Sequence, residues 1–279
     1  MANKILEKRE LRSDLFFFVV EAPEISKKAK AGQFVIVRPT ENGERIPLSL
    51  ADINPERGTI SLIVQTIGVT STKISTLNVG EEISDIAGPM GHPTPVKKYG
   101  RVVLVGGGFG AAPLYPIGRA MKEAGNTVIS ITGARTESLL VYEKELAEFS
   151  DKVLISTDDG SKGHKGVVTE VLKSEIEENG ADLVIAVGPA IMMKFVSLTT
   201  KPYNVKTLVS LNPIMVDGTG MCGACRVSIG GKTMFGCTDG PDFDGHLVDW
   251  DLLMARQRTY LAEEKEAMEA YTCDCVPHS

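Results

Sequence analysis

The sequence predicts three parts in order: an antiparallel β-barrel, a doubly wound α/β domain and a small cysteine-bearing module. Three observations carry that expectation. Before residue 99 the apolar runs are short, rich in β-branched and aromatic residues, and punctuated by Pro, Gly, Asn and Asp. From Arg101 onward, strand-like apolar runs alternate with amphipathic helical stretches. After Leu211, three of the five cysteines gather in a glycine-dense loop.

Residues 1–98 are assigned to the barrel. In KILEKREL, LFFFVVEA, GQFVIVRP, PLSLAD and TISLIVQTI, the Val, Ile, Phe and Thr content suits a pleated, half-buried surface. No long helical period intervenes, which fits an antiparallel barrel or sandwich. Two stretches stand out. Arg45-Ile46-Pro47-Leu48-Ser49-Leu50 opens one strand. Gly68-Val69-Thr70-Ser71-Thr72-Lys73 reads as a loop entering a short helix, where unpaired N–H groups suit a phosphate. Arg45 would add the bidentate charge that a pyrophosphate favours. The same residue types also serve as ordinary caps and solvated surface, so both readings stand at this point.

Residues 99–210 read as the α/β domain. RVVLVGG is apolar and ends in glycines, as buried parallel strands do, and GAAPLYPIGRAMKEAG follows as an amphipathic helix closed by Gly125. NTVISITG, KVLISTDDG, LVIAVGP and VKTLVSL supply four further strands. Gly106-Gly107-Gly108-Phe109-Gly110-Ala111 matches G-x-G-x-x-A between strand and helix, where a dinucleotide pyrophosphate approaches backbone N–H groups. The acidic residue that usually closes the second strand is missing, because that strand ends Gly133-Ala134-Arg135-Thr136. Arg135 is placed to meet a 2′-phosphate. Asp158 and Asp159 lie at another strand end, where ligands gather and where turn-forming aspartates are equally at home.

Residues 211–279 hold the cysteine module and a tail. Plant-type [2Fe–2S] sites read C-x4-C-x2-C with a distant fourth cysteine. Here the run is Cys222-x2-Cys225-x11-Cys237, and the position five before Cys222 is Asp217. A carboxylate can ligate iron as a harder, less electron-releasing donor. The expected ligand set is therefore Asp217, Cys222, Cys225 and Cys237. A zinc site on the same C-x2-C, structural thiols, and Cys273 or Cys275 as fourth ligand remain open alternatives. Gly230-Gly231 predicts a hairpin that brings Cys237 back towards its partners. The stretch DWDLLMARQRTYLAEEKEAMEAY is helical in character, either a surface helix on its own domain or a docking surface for a second subunit.

Composition narrows the function classes. A hydrophobic content of 43% with 24% charged residues over 279 positions is ordinary for globular domains. A net charge of −6 without any Lys/Arg run argues against nucleic acid as partner. No apolar stretch reaches about 18 residues, and MANKILEKRE lacks the apolar core of a signal peptide, so a cytoplasmic location is expected. Cysteines confined to the last fifty-eight residues suit a metal site in a reducing compartment better than a disulfide framework. His92, His164, His246 and His278 show no partner spacing, and no catalytic residue is assigned.

The R-x-P-L-S stretch, the G-x-T-S-T loop and the AGPMGHP turn (Ala87 to Pro93) follow the layout of the ferredoxin–NADP reductase superfamily's flavin barrel. GGGFGAAPLYP resembles its G-G-x-G-x-A-P-L nicotinamide signature with one extra alanine, and Val187-Gly188-Pro189 resembles its C/V-G-P element. The resemblance implies an antiparallel flavin-binding barrel, a doubly wound nicotinamide domain and a C-terminal [2Fe–2S] module. It also implies FAD lined by Arg45, Pro47, Leu48, Ser49 and Leu50, with Gly68, Thr70, Ser71 and Thr72 near its phosphates. NAD(H) would lie on Gly107, Gly108, Gly110, Ala111, Pro113, Arg135, Asp158, Asp159, Gly188 and Pro189. Leu48 stands where an aromatic residue often stacks on the flavin, a replacement shared by electron-transfer subunits of dihydroorotate dehydrogenase. With Asp217 in NPIMVDGTGMCGACRV, the chain resembles more closely the small (alpha) subunit family of NADH-dependent reduced ferredoxin:NADP+ oxidoreductases. That family implies an electron-bifurcating heterodimer in which a large flavin and iron–sulfur subunit handles ferredoxin and NADP(H).

Overall fold

The computed structural model describes residues 3–274. The N-terminal strands are β1 (Asn3–Arg12), β2 (Leu15–Glu21), β3 (Phe34–Arg38), β4 (Ile46–Asn54), β5 (Thr59–Gln65), β6 (Glu82–Ile83) and β7 (Asp85–Met90). Helices α1 (Pro23–Ser26) and α2 (Val69–Thr76) are set between them. The strands form one antiparallel sheet in the order β6-β1-β2-β5-β4-β3-β7. Its two edge strands are separated in sequence by Ser84 alone, so the sheet curls into a nearly closed barrel and leaves little free edge. Phe18, Val35, Leu50, Ile60, Leu62 and Ile74 fill its core.

The second sheet contains β8 (Arg101–Gly107), β9 (Thr127–Ala134), β10 (Lys152–Thr157), β11 (His164–Lys165), β12 (Leu183–Val187) and β13 (Lys206–Ser210), all parallel. Helices α3 (Ala111–Glu123), α4 (Glu143–Ala147), α5 (Val168–Asn179) and α6 (Ala190–Thr200) link them. The order is β11-β10-β9-β8-β12-β13, so the winding direction reverses beside β8. Alternate residues explain the continuous apolar runs. Val103 and Val105 face one helical layer while Val102 and Leu104 face the other, and all four are fully buried.

Residues beyond Leu211 pack onto both preceding parts of the chain. The hairpin β14 (Arg226–Ile229) and β15 (Lys232–Phe235) turns at Gly230 and Gly231 with φ of 57° and 78°. The next strand, β16 (Asp242–Asp244), joins the second sheet antiparallel to β13 and covers what would be an open edge. The helical tail divides into α7 (Trp250–Gln257) and α8 (Leu261–Asp274). Trp250 is buried, its indole N–H donating to the Gly245 carbonyl at 3.1 Å. Helix α8 leaves its own segment and packs on α2 of the barrel, with Lys73 Nζ 5.5 Å from the Tyr271 ring centre. The side chain of Cys273 and the whole of Cys275 and His278 lie outside the described residues.

Barrel and α/β domain pack directly. Leu15, Phe17, Val19, Ala51 and Ile63 form one buried cluster with Ala112 of α3 and with Tyr142. Arg119 of α3 also meets Asp52 of β4 at 2.8 Å.

Candidate functional site

Three neighbourhoods gather the residues singled out by sequence. The first is on the barrel. Arg45, just before β4, and Ser49 within it are exposed, whereas Leu50 is 1% exposed inside the core and Leu48 packs on that core. The strict two-residue alternation of a strand dictates this. It corrects the expectation for Leu50: its side chain supports β4 from within and its N–H is already donated to the Gln33 carbonyl. Arg45 pairs with Asp85 at 3.5 Å. At the start of α2, Ser71 Oγ accepts from Gly68 N and Ile67 N at 3.0 Å, and Thr72 Oγ1 donates to the Gly68 carbonyl at 2.9 Å. The hydroxyls of Ser71 and Thr72 are thus engaged in capping. Thr70 Oγ1 lies 3.4 Å from Glu44 Oε2. The first-turn N–H groups have no partners inside the helix and remain for an anion, and the space beside Gly68 is open. A phosphate fits there.

The second neighbourhood is a cleft of about 820 Å³ at the carboxyl ends of β8, β9 and β10, where the winding reverses. Of the residues singled out by sequence, Gly107, Gly108, Arg135, Asp158 and Pro189 line it. Gly108 has φ of 55° and nothing within 4 Å of where a Cβ would stand, so the backbone is open to a ligand. Gly110, by contrast, is buried and abuts the carbonyl of Val187, so its role is to let α3 approach β12. Ala111 is fully buried behind it, and neither Pro113 nor Gly188 lines the cleft. Asp159 does not line it either; its carboxylate accepts from Ser161 N at 2.9 Å and Ser161 Oγ at 2.6 Å, a turn-forming arrangement. The barrel supplies three wall residues that sequence reasoning missed: Arg12, Asp14 and Gln65. Arg12 above all, then Gln65, hold the Asp14 carboxyl down at about 2.

The third neighbourhood is the cysteine loop. Asp217 Oδ1 accepts from Thr219 N at 2.8 Å, and Oδ2 accepts from Cys222 N at 3.2 Å. These N–H groups, led by that of Thr219, hold the Asp217 carboxyl below the usual carboxylate range. Cys225 and Cys237 are buried with their sulfurs 3.2 Å apart, and burial, then the Cys225 thiol, push the Cys237 thiol up to about 12. Two of the four donors thus meet directly, the sulfurs of Cys225 and Cys237, while Asp217 reaches Cys222 through that residue's backbone N–H. Three thiols and one carboxylate within one stretch of the chain are a donor set that an iron–sulfur cluster can use. Positive φ at Gly218, Gly220 and Gly223 lets the loop wrap tightly, with Gly218 against Ile36 of β3. Cys225 and Cys237 share a buried cluster with Phe34, Ile36 and Met215, so the loop is seated on the barrel wall.

Comparison with known proteins finds two family matches in the chain. Residues 104–198 match the oxidoreductase NAD-binding domain, and residues 212–249 match the iron–sulfur cluster binding domain of dihydroorotate dehydrogenase B. A Thermotoga maritima homologue of the dihydroorotate dehydrogenase B electron transfer subunit is 48% identical over 96% of this chain and 95% of its own. The corresponding electron transfer subunit of Shouchella clausii is 33% identical over 86% and 94%. A chain in the structure of an NADH-dependent reduced ferredoxin-NADP oxidoreductase superposes with a TM-score of 0.92 at 47% identity, covering 98% of each chain. A ferredoxin reductase of carbazole 1,9a-dioxygenase shares the fold over 72% of the chain, with a TM-score of 0.63 at 19% identity. Among the described residues no helix is long and apolar enough to cross a membrane. The chain is an oxidoreductase component with NAD-binding and iron–sulfur domains, and it belongs to the family of dihydroorotate dehydrogenase B electron-transfer subunits and their homologues.

Proposed function

We propose that this chain is the small subunit of an NADH-dependent reduced ferredoxin:NADP+ oxidoreductase, exchanging hydride with NAD(H) and passing single electrons to or from a large flavin and iron–sulfur partner. The observation that carries this reading is the likeness to such an oxidoreductase over 98% of both chains. The position of Asp217, five residues before Cys222, supports it, since a carboxylate stands where a plant-type cluster has its first thiolate.

The cofactors are FAD, a [2Fe–2S] cluster and NAD(H). FAD when bound converts two-electron into one-electron transfer, and the cluster relays electrons singly. The protein's own contribution is positional. Arg45 and the first turn of α2 present positive charge and free N–H groups to the flavin phosphates. Gly107 and Gly108 bring backbone to the dinucleotide, and Pro189 closes the cleft beside them. Asp217, Cys222, Cys225 and Cys237 hold the cluster, with Phe34 and Ile36 excluding water between Cys225, Cys237 and the barrel. Cys222 is exposed, so the cluster's outer side faces a prospective partner.

The test is anaerobic isolation from the native source. A co-purifying large subunit carrying flavin and iron–sulfur centres, with ferredoxin- and NADP-linked turnover, supports the reading. A dihydroorotate-oxidising partner would move the chain to dihydroorotate dehydrogenase, the reading favoured by the match at residues 212–249. Turnover by the isolated chain with no partner would make it a stand-alone flavin or sulfide reductase.

A further inference from the structure

The nicotinamide cleft has a wall that does not belong to the nicotinamide domain. Arg12 and Asp14 stand at the tight turn between β1 and β2, and Gln65 at the end of β5. They form one rigid unit. Arg12 donates from Nε to Asp14 Oδ1 and from Nη2 to Asp14 Oδ2 at 3.0 Å. Gln65 Nε2 donates to the same Oδ2 at 2.9 Å, and Thr66 N donates to the Asp14 carbonyl at 2.9 Å. A guanidinium gripped along one edge presents the other edge outward at little further entropic cost. That outer nitrogen, Nη1, has among the described residues only a long bond of 3.4 Å, across the domain boundary to the Leu139 carbonyl.

The same cleft is floored by Gly107 and Gly108 and extends past Arg135 and Asp158 at the ends of β9 and β10. A dinucleotide stretched from the glycines to those strand ends passes in front of the barrel wall. Within NAD(H) the anionic group is the diphosphate, and the donor geometry of a guanidinium matches it. Arg135 is the other arginine of the cleft and is exposed; among the described residues its guanidinium has neither hydrogen bond nor ion pair. Arg12 differs from it in being pre-oriented.

We infer that Arg12 is an NAD(H)-binding residue supplied by the flavin barrel, its Nη1 edge taking the dinucleotide diphosphate while Asp14 and Gln65 hold it in position. The inference rests on the α/β domain being the NAD(H) site. It gives bound dinucleotide a contact to both domains, and so ties its occupancy to the packing that sets the nicotinamide against the flavin. Asp14 and Gln65 act through Arg12 and are positioning residues.

The experiment compares Arg12→Ala, Arg12→Lys and wild type, all FAD- and cluster-loaded, by equilibrium titration with NADH, ADP-ribose and adenosine. The expected result is a Kd for NADH and for ADP-ribose raised about tenfold or more in Arg12→Ala, the scale of one lost charge-assisted hydrogen bond. Binding of adenosine, which lacks the diphosphate, changes little. Arg12→Lys recovers part of the loss, and the ionic-strength dependence of NADH binding flattens in Arg12→Ala. Equal NADH and ADP-ribose affinities in a folded, FAD-loaded Arg12→Ala overturn the inference. So does a loss shared equally by adenosine or tracking a fall in Tm, which would make Arg12 a strut between the domains. If Arg12→Ala does not fold, Arg12→Lys decides on the same measurements. Failure of the wild type to bind NADH would instead remove the NAD(H) reading itself.

Discussion

At the residue scale the cysteine loop and one buried acid carry sharp expectations. Asp217 is a weaker electron donor than a thiolate, so Asp217→Cys should lower the cluster potential and remove part of its pH dependence, as read by EPR-monitored redox titration. Unchanged potential and pH dependence would take Asp217 out of the ligand set. Asp242 lies where the barrel's exit segment meets β16, accepting from Thr94 Oγ1 at 2.5 Å while its Oδ1 is buried without a partner. Burial pushes its carboxyl up to about 6, against hydrogen bonds from Thr94 and Ser210 that pull it down. The folded state therefore holds the Asp242 proton to higher pH than the unfolded chain, whose carboxyl titrates near 3.8. Stability contributed by the neutral acid is present below 3.8 and lost as pH rises through about 6. Asp242→Asn should flatten that window and raise Tm at pH 8 by about 2–4 °C, measured by thermal unfolding across pH. A lower Tm at pH 8 would show that the carboxylate is paired in some other way.

At the scale of elements, the contact of α3 with β12 is the most exacting. Gly110 rests against the Val187 carbonyl, a backbone atom with nowhere to retreat. Gly110→Ala should cost about 1–3 kcal/mol in denaturant unfolding and raise the KM for NADH, because Gly107 and Gly108 precede the same helix. An unchanged midpoint would mean that α3 shifts freely. The hydroxyls beside Gly68 teach a related lesson: Ser71 and Thr72 are caps, and what α2 offers an anion is its backbone.

At the scale of the whole molecule, barrel and α/β domain act as one body. Phe17 of β2 is 7% exposed in the cluster that includes Ala112 and Tyr142. Phe17→Ala should destabilise by about 3–5 kcal/mol and loosen the register of the two cofactor sites. Rapid-mixing measurements should then show slower flavin reduction at saturating NADH with a smaller change in NADH Kd. An unaffected reduction rate would mean that the domain packing does not set the geometry of hydride transfer. The iron–sulfur loop belongs to this body too, because Ile36 touches Gly218 and shares a buried cluster with Cys225 and Cys237.

The local chemistry of this chain was written in its sequence. Strand alternation, the glycine run ending at Gly110 and the Gly230-Gly231 turn each concern residues close along the chain, whose geometry follows from backbone sterics. Leu50 was misread because a motif names neighbours while a strand sends alternate side chains to opposite faces. Tertiary structure alone decided the rest. Arg12, Asp14 and Gln65 carry no motif and come to line one cleft with Gly107 only through domain packing; β16 crosses into the second sheet to cover its edge, and α8 crosses back to α2. These are contacts between residues from tens to about two hundred positions apart. They are set by which apolar faces and open edges must be covered, and no local pattern encodes that.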